Sequence, residues 1–138
     1  MTRVVAAALL GASAGLRSQT PAAVLALAQR RGARSVLASV FALGEYAGDL
    51  SPRAPDRTSP LPLLGRIFLG ARAGLAMTSS TGRVPCAIAG AMGALAGAYG
   101  GLAVRRAAAR RFGAVPAALV EDGAAIVLAF AAVSISRR

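Results

Sequence analysis

Apolar residues in this chain come in long blocks rather than at the spacing of a half-buried helix or strand. The block from Val84 to Val104 runs 21 residues without a charge, and Tyr99 is its only side chain with a strongly polar group. That is about the length of helix needed to cross bilayer hydrocarbon. The other blocks are interrupted: 3–28 by Arg17-Ser-Gln-Thr-Pro21, 35–50 by Glu45 and Asp49, 61–80 by Arg66 and Arg72, and 114–136 by Glu121 and Asp122. A water-soluble helical bundle also contains apolar runs of 10 to 16 residues, but it keeps a polar outer face on each helix, and 84–104 has none. The pattern therefore predicts an all-α fold, a polytopic transmembrane helix bundle with short and broken helices, built as one membrane domain over residues 1–138. The opening Met1-Thr-Arg, apolar 4–10 and Ala12-Ser-Ala14 also mimic a cleavable signal peptide. The later blocks require a membrane either way, and the segment is read as a first membrane helix.

Polar and proline-rich breaks separate the blocks. Arg30 to Arg34 contains the helix-ending Gly32, 51–60 holds Pro52, Pro55 and Pro60, and Thr78 to Arg83 precedes Pro85. Arg105 to Gly113 is read as a basic connection before Pro116. Pro85 and Pro116 stand where proline is tolerated, at helix starts. The sequence also echoes itself. Leu10-Gly-Ala-Ser-Ala-Gly-Leu16 and Leu69-Gly-Ala-Arg-Ala-Gly-Leu75 agree at six of seven positions, each followed by a Ser/Thr break and a proline. Further on, Leu43-Gly-Glu45 parallels Leu119-Val-Glu121. Repeat halves 1–50 and 61–136, joined by the loop 51–60, would make the chain a duplicated three-element unit, a layout used by small transporters.

Composition sharpens the membrane reading. The chain is 56% hydrophobic and 15% charged, and 35 Ala with 16 Gly leave little side-chain area for a soluble core. Helices in lipid use such residues because they let backbones approach closely. Gly93, Gly97 and Gly101 form a stripe at every fourth position, and Gly11/Gly15 and Gly70/Gly74 form pairs at the same interval; each is expected to be a packing seam within the chain, a dimer seam being the alternative.

All 16 basic residues are arginine, against 5 acids, for a net charge of +11. They cluster at the ends of apolar blocks, as anchors for phospholipid head groups do, and not on an aromatic-interleaved patch, so the partner implied is a lipid bilayer and not nucleic acid. The absence of histidine and lysine argues against triad chemistry and a lysine-bearing phosphate loop, and the single Cys86 excludes a disulfide scaffold. The sequence thus points away from an enzyme, and no cofactor is implied.

Five ionisable residues lie inside apolar blocks: Arg17, Glu45, Arg72, Glu121 and Asp122. Each would cost about 2.5 to 3.5 kcal/mol near the bilayer centre if unpaired. They are expected to meet in a polar interior, Arg17 and Arg72 facing Glu45 and Glu121, either as locks between helices or as a site for an ion, a proton or a charged head group. A further constellation is Gly44-Glu45-x-x-x-Asp49-x-x-Pro52-Arg53 with Arg57 and Arg66. Glu45 and Asp49 share a helix face, where they could hold a divalent cation against a lipid phosphate gripped by Arg53, Arg57 and Arg66, or merely pair with arginines at the interface.

These same residues carry a resemblance. Gly11-x-x-x-Gly-Leu-Arg-Ser-x-x-Pro21, the run from Gly44 to Pro52 with Arg57-Thr58-x-Pro60 and Arg66, Gly70-Ala71-x-x-Gly74, and Glu121-Asp122 resemble a family of small bacterial integral membrane proteins catalogued as domain of unknown function 4126. The likeness covers nearly the whole chain. It implies a multi-pass protein of the inner membrane, brings no activity, and marks Arg17, Glu45, Asp49, Arg57, Arg66, Glu121 and Asp122 as parts of recurring motifs. Leu50 stands where the family pattern has a basic residue, which argues against phosphate binding at that point.

Counted as five spans, the arginines divide seven to six between the two sides, so charge does not orient the chain. Either the first helix is a re-entrant pair broken at 17–21, or the protein inserts both ways as an antiparallel dimer; a homo-oligomer is expected. The leading functional expectation is binding or transport of a small charged solute or lipid head group through the polar interior. A membrane enzyme acting on a lipid phosphate with a divalent cation, and a structural or assembly subunit, are the alternatives.

Overall fold

Proline, glycine and polar breaks divide the chain into six helices, and no other regular structure occurs among the described residues. The computed structural model describes residues 1–29, 32–48, 58–78 and 82–137, without side chains at 34, 35, 42 and 45–48. The helices are α1 (Thr2–Leu16), α2 (Thr20–Ala28), α3 (Ala33–Gly48), α4 (Pro60–Leu75), α5 (Arg83–Phe112) and α6 (Ala114–Ser136). Pro21, Pro60, Pro85 and Pro116 all lie in first turns, where a missing N–H costs no intrahelical bond. Two helices, α5 and α6, are long and apolar enough to cross a membrane, at about 45 Å and 35 Å.

The basic stretch after Val104 is not a connection. It continues α5 to Phe112, because Ala107-Ala-Ala109 and its flanking arginines are strong helix formers. The chain stops only at Gly113, whose φ of 90° favours glycine, and turns directly into α6. Similarly, the apolar block 61–80 is helical only to Leu75.

Helix α1 lies at the centre, packed on α5, α6 and α4. It runs parallel to α5, since Ala8 and Ala12 meet Gly93 and Gly97 in the same order along both helices. It runs antiparallel to α6, where the Ser13 hydroxyl donates to the Ala125 carbonyl at 2.8 Å. Helix α2 folds back beside α1. Val24, Leu25 and Ala28 pack with Ala6, Leu10, Ala132 and Val133, and Arg137, just after α6, donates to the Ala28 carbonyl at 2.8 Å. The outer ends of α1 and α2 therefore share one end of the bundle with the C-terminal ends of α4 and α6. The first apolar block is a hairpin with its tip at 17–19 and not one continuous helix.

Glycine makes these approaches feasible. A Cβ at Gly11 would collide with the Gly90 carbonyl, one at Gly90 with the Gly70 carbonyl, and one at Gly74 with the Cys86 carbonyl. Gly15, Gly93 and Gly97 are equally closed by backbone across the α1–α5 seam, whereas Gly101 faces the Leu16 and Glu121 side chains. The two echoed Leu-Gly-Ala-x-Ala-Gly-Leu segments thus both lie against α5, and Gly90 touches each of them. Six of the seven glycines singled out from the sequence thus meet backbone of another helix within the chain, and Gly101 meets side chains.

The radial distribution is inverted relative to a water-soluble protein. The buried face of α6 is Ala117, Ala118, Ala125, Ala129 and Ala132 with Glu121 and Val133, and that of α5 is Cys86, Gly90, Gly93, Ala94, Gly97 and Ala98. Most large apolar side chains point outward, Phe68, Ile88, Met92, Leu119, Val127 and Phe130 among them, whereas Leu10, Leu16, Val24 and Val133 are buried. Among the described residues the largest fully buried side chain is an arginine, Arg17.

A methyl group placed at the three-helix contact should be costly and one placed outside it should not. Gly90→Ala is expected to destabilise the protein by about 1 to 3 kcal/mol through overpacking. Gly100→Ala and Gly123→Ala, which meet nothing within 4 Å, are expected to be neutral or stabilising by up to about 1 kcal/mol. Thermal unfolding of the three variants in one detergent checks the difference.

Candidate functional site

A helix that ends inside a bundle leaves its last carbonyls without intrahelical donors. Helix α1 ends this way at Leu16, and α4 supplies the answer. Arg66, itself buried, reaches across so that its Nη1 donates to the carbonyls of Gly15 at 2.8 Å and Leu16 at 3.0 Å, with Ala14 at the limit of 3.5 Å. A guanidinium suits the place twice over: its fork can serve several acceptors, and its charge opposes the negative end of the α1 dipole.

The next residue along the chain makes the second arginine contact. Arg17 leaves the helix in an extended conformation (φ −141°, ψ 111°) while its backbone N–H still bonds to Ser13 O at 2.8 Å. Its side chain turns to α6, where Nε and Nη2 lie 2.7 and 2.6 Å from the same oxygen, Asp122 Oδ1. The neighbouring carboxylate points to α5: Glu121 Oε2 is 3.3 Å from Arg105 Nη1. The pair is partly dry, with 4% of the Glu121 side chain exposed against 24% of Arg105. Near the hairpin tip, then, two ion pairs, Arg17–Asp122 and Arg105–Glu121, stand with Arg66 on the α1 carbonyls as an ionic cluster of separate contacts, three cations and two anions.

Arg17 thus pairs with Asp122 where Glu121 was one expected partner, and a pairing of Arg17 or Arg72 with Glu45 lies outside the described side chains. Asp122 is the carboxylate gripped by Arg17, since positions 121 and 122 are 100° apart on a helix and face different neighbours. Glu121 instead meets Arg105, which the sequence reading had treated as an interface anchor because it assumed α5 ended there. Arg66, a candidate phosphate ligand, is occupied with α1 carbonyls. The Glu45 side chain, Asp49 and Arg57 lie outside the described residues. Ser13, the buried hydroxyl joining α1 to α6, was missed; a lone serine in an Ala-Gly helix carries no signal of its own. Among the described residues there is no group of three metal-ligating side chains.

Arg72 stands apart. It is exposed, and it lines a groove of about 410 Å³ between α2 and α4, bordered by Ala38 of α3. Pro21, Ala22, Leu25, Leu69 and Ala73 form apolar wall, and Ser18 and Gln29 lie toward its two ends. No ion pair to Arg72 occurs among the described residues. The volume falls within the roughly 300 to 1,000 Å³ typical of small-molecule sites.

If the Arg17–Asp122 pair is a lock, removing one partner should cost more than removing both. Asp122→Leu is expected to lower stability by about 3 to 5 kcal/mol, and Arg17→Met combined with Asp122→Leu to recover most of that loss. Unfolding of the single and double variants in detergent measures it.

No family model, curated protein or solved structure matches the chain, so the geometry alone carries the functional argument.

Proposed function

We propose that this chain is a multi-pass protein of a bacterial inner membrane that binds, and in doing so helps to move, a small anion or anionic lipid head group. Its ionic cluster serves as the lock of the fold and Arg72 as the residue that meets the anion. The membrane placement rests on the side-chain distribution, with mainly Ala and Gly inside and most of the Val, Leu, Ile and Phe outside, together with the two long apolar helices. In this placement α1 and α2 form a re-entrant pair and α3 to α6 cross. The echoed segments on α1 and α4 support a duplicated origin, and the motif resemblance to an uncharacterised membrane family supports the same setting. Arginines sit at both ends: Arg3 and Arg83 at one, Arg105, Arg106, Arg110 and Arg111 at the other. That balance is compatible with insertion in either sense and with an antiparallel pair of copies.

One observation carries the functional part. Among the described residues, Arg17, Arg66 and Arg105 all meet partners within the protein, whereas Arg72 sits exposed in a largely apolar groove with no ion pair to another of them. A guanidinium inside a membrane protein is expensive unless something negative meets it, and such residues mark ligand or ion sites. The interior cluster is a poorer candidate for a pathway, because its charges are already matched one to one or bound to carbonyls. The assignment of Arg17, Glu121 and Asp122 is therefore structural and that of Arg72 is ligand-facing.

The test is stabilisation by anions in a neutral detergent, where a ligand that binds only the folded state raises the unfolding temperature by mass action. Inorganic phosphate or phosphatidylglycerol is expected to raise that of the wild type by several degrees, and to leave Arg72→Gln unmoved although its unfolding without ligand matches the wild type. If no anion shifts the wild type, or if Arg72→Gln responds as fully, the proposal fails.

A further inference from the structure

The groove has a polarity along its length that narrows the ligand class, an argument that rests on the reading of Arg72 as the anion-facing residue. Arg72 lies in the last turn of α4, and Gln29 is the C-terminal cap of α2. Both belong to the end of the bundle that carries Arg3 and Arg83: Gly74, two residues beyond Arg72, meets Cys86 near the start of α5, and Ala28 is bonded by Arg137. From there the groove continues toward the hairpin tip along Leu25, Pro21 and Leu69, whose side chains offer no hydrogen bond. From Gln29 to Pro21 the α2 wall rises about 12 Å. The groove's guanidinium and its amide are therefore gathered at a depth reached by head groups, Ser18 alone stands at the tip end, and the apolar wall between them extends in the direction an acyl chain takes.

A free inorganic anion would use the Arg72 end and leave the rest of the wall bare. We infer that the occupant is a membrane lipid with a phosphate head group, one per chain, its phosphate held by Arg72 with Gln29 and one acyl chain laid along Leu25, Pro21 and Leu69. Arginine suits this role, since it offers a planar pair of donors to phosphate oxygens.

The experiment is native mass spectrometry of the full chain released from neutral detergent containing phosphatidylglycerol, with phosphatidylcholine and free glycerol phosphate as parallel probes. The wild type is expected to retain one phosphatidylglycerol, to retain phosphatidylcholine at least tenfold less, and to bind glycerol phosphate at least tenfold more weakly than the lipid. Arg72→Gln should lower retention of phosphatidylglycerol at least tenfold. Ala22→Trp, which adds bulk at an exposed wall position, should do the same while leaving glycerol phosphate binding unchanged. Arg106→Gln, an exposed arginine remote from the groove, should have no effect and so separates site binding from attraction to the net positive charge. If glycerol phosphate binds as tightly as the lipid and Ala22→Trp is silent, the lipid inference is overturned while the anion site stands. If Arg72→Gln changes nothing for any probe, both fall. Retention lowered equally by Arg106→Gln also overturns it, since binding would then follow net charge.

Discussion

The structure depends on how a helix can end inside an apolar bundle. Carbonyls at the end of α1 have no water to turn to, and an unsatisfied buried carbonyl costs about 1 to 3 kcal/mol. Arg66 from α4 answers two or three of them with one guanidinium, and Arg17, at the cap itself, ties the same point to Asp122 on α6. Neither arginine is a surplus charge awaiting a ligand. Together they let the chain reverse at 17–19 so that α2 returns beside α1, and that return creates the groove between α2 and α4. The site candidate therefore exists because of the lock, although the two share no residue.

Small residues make the lock reachable. Arg66 must cross from α4 to the end of α1, and it does so because Gly70 and Gly11 bring α4 and α1 against Gly90 of α5 with no intervening side chains. Packing density in this centre comes from backbone on backbone, in the manner of helices associating in lipid, where the hydrophobic effect gives no preference for burying leucine over leaving it outside. The outward Phe68, Met92 and Phe130 follow from the same logic: with a core too narrow for them, they form an apolar outer surface.

Much of this was legible beforehand and some of it was not, for identifiable reasons. The break at 17–21, the start of α6 at Ala114 and the glycine seams follow from local chemistry: proline position, a polar interruption and spacing by four. The end of α5 was misjudged because clustered arginines look like a loop beside an apolar run, although arginine is itself a good helix former. That error hid Arg105 as the partner of Glu121. The pairing of Arg17 with Asp122 rather than Glu121 depends on the rotation of α6 about its own axis, which Ala118, Ala125 and Ala129 set by packing and which no pairwise motif encodes. The separation of Arg72 from Arg17, Glu121 and Asp122 depends on α2 folding back, a tertiary event that the sequence signals only as a break.

The most direct test of this account is the distance between spin labels attached at Arg3→Cys and Gln29→Cys in the detergent-solubilised chain, measured by pulsed electron–electron resonance. It is independent of which way the protein inserts. The locked hairpin places both positions at one end of the bundle and predicts a separation below about half of the 40 Å that an uninterrupted helix over the same residues would span. A distribution centred near 40 Å would mean that the first apolar block crosses as a single span, and the arginine-capped reversal on which the groove depends would be wrong.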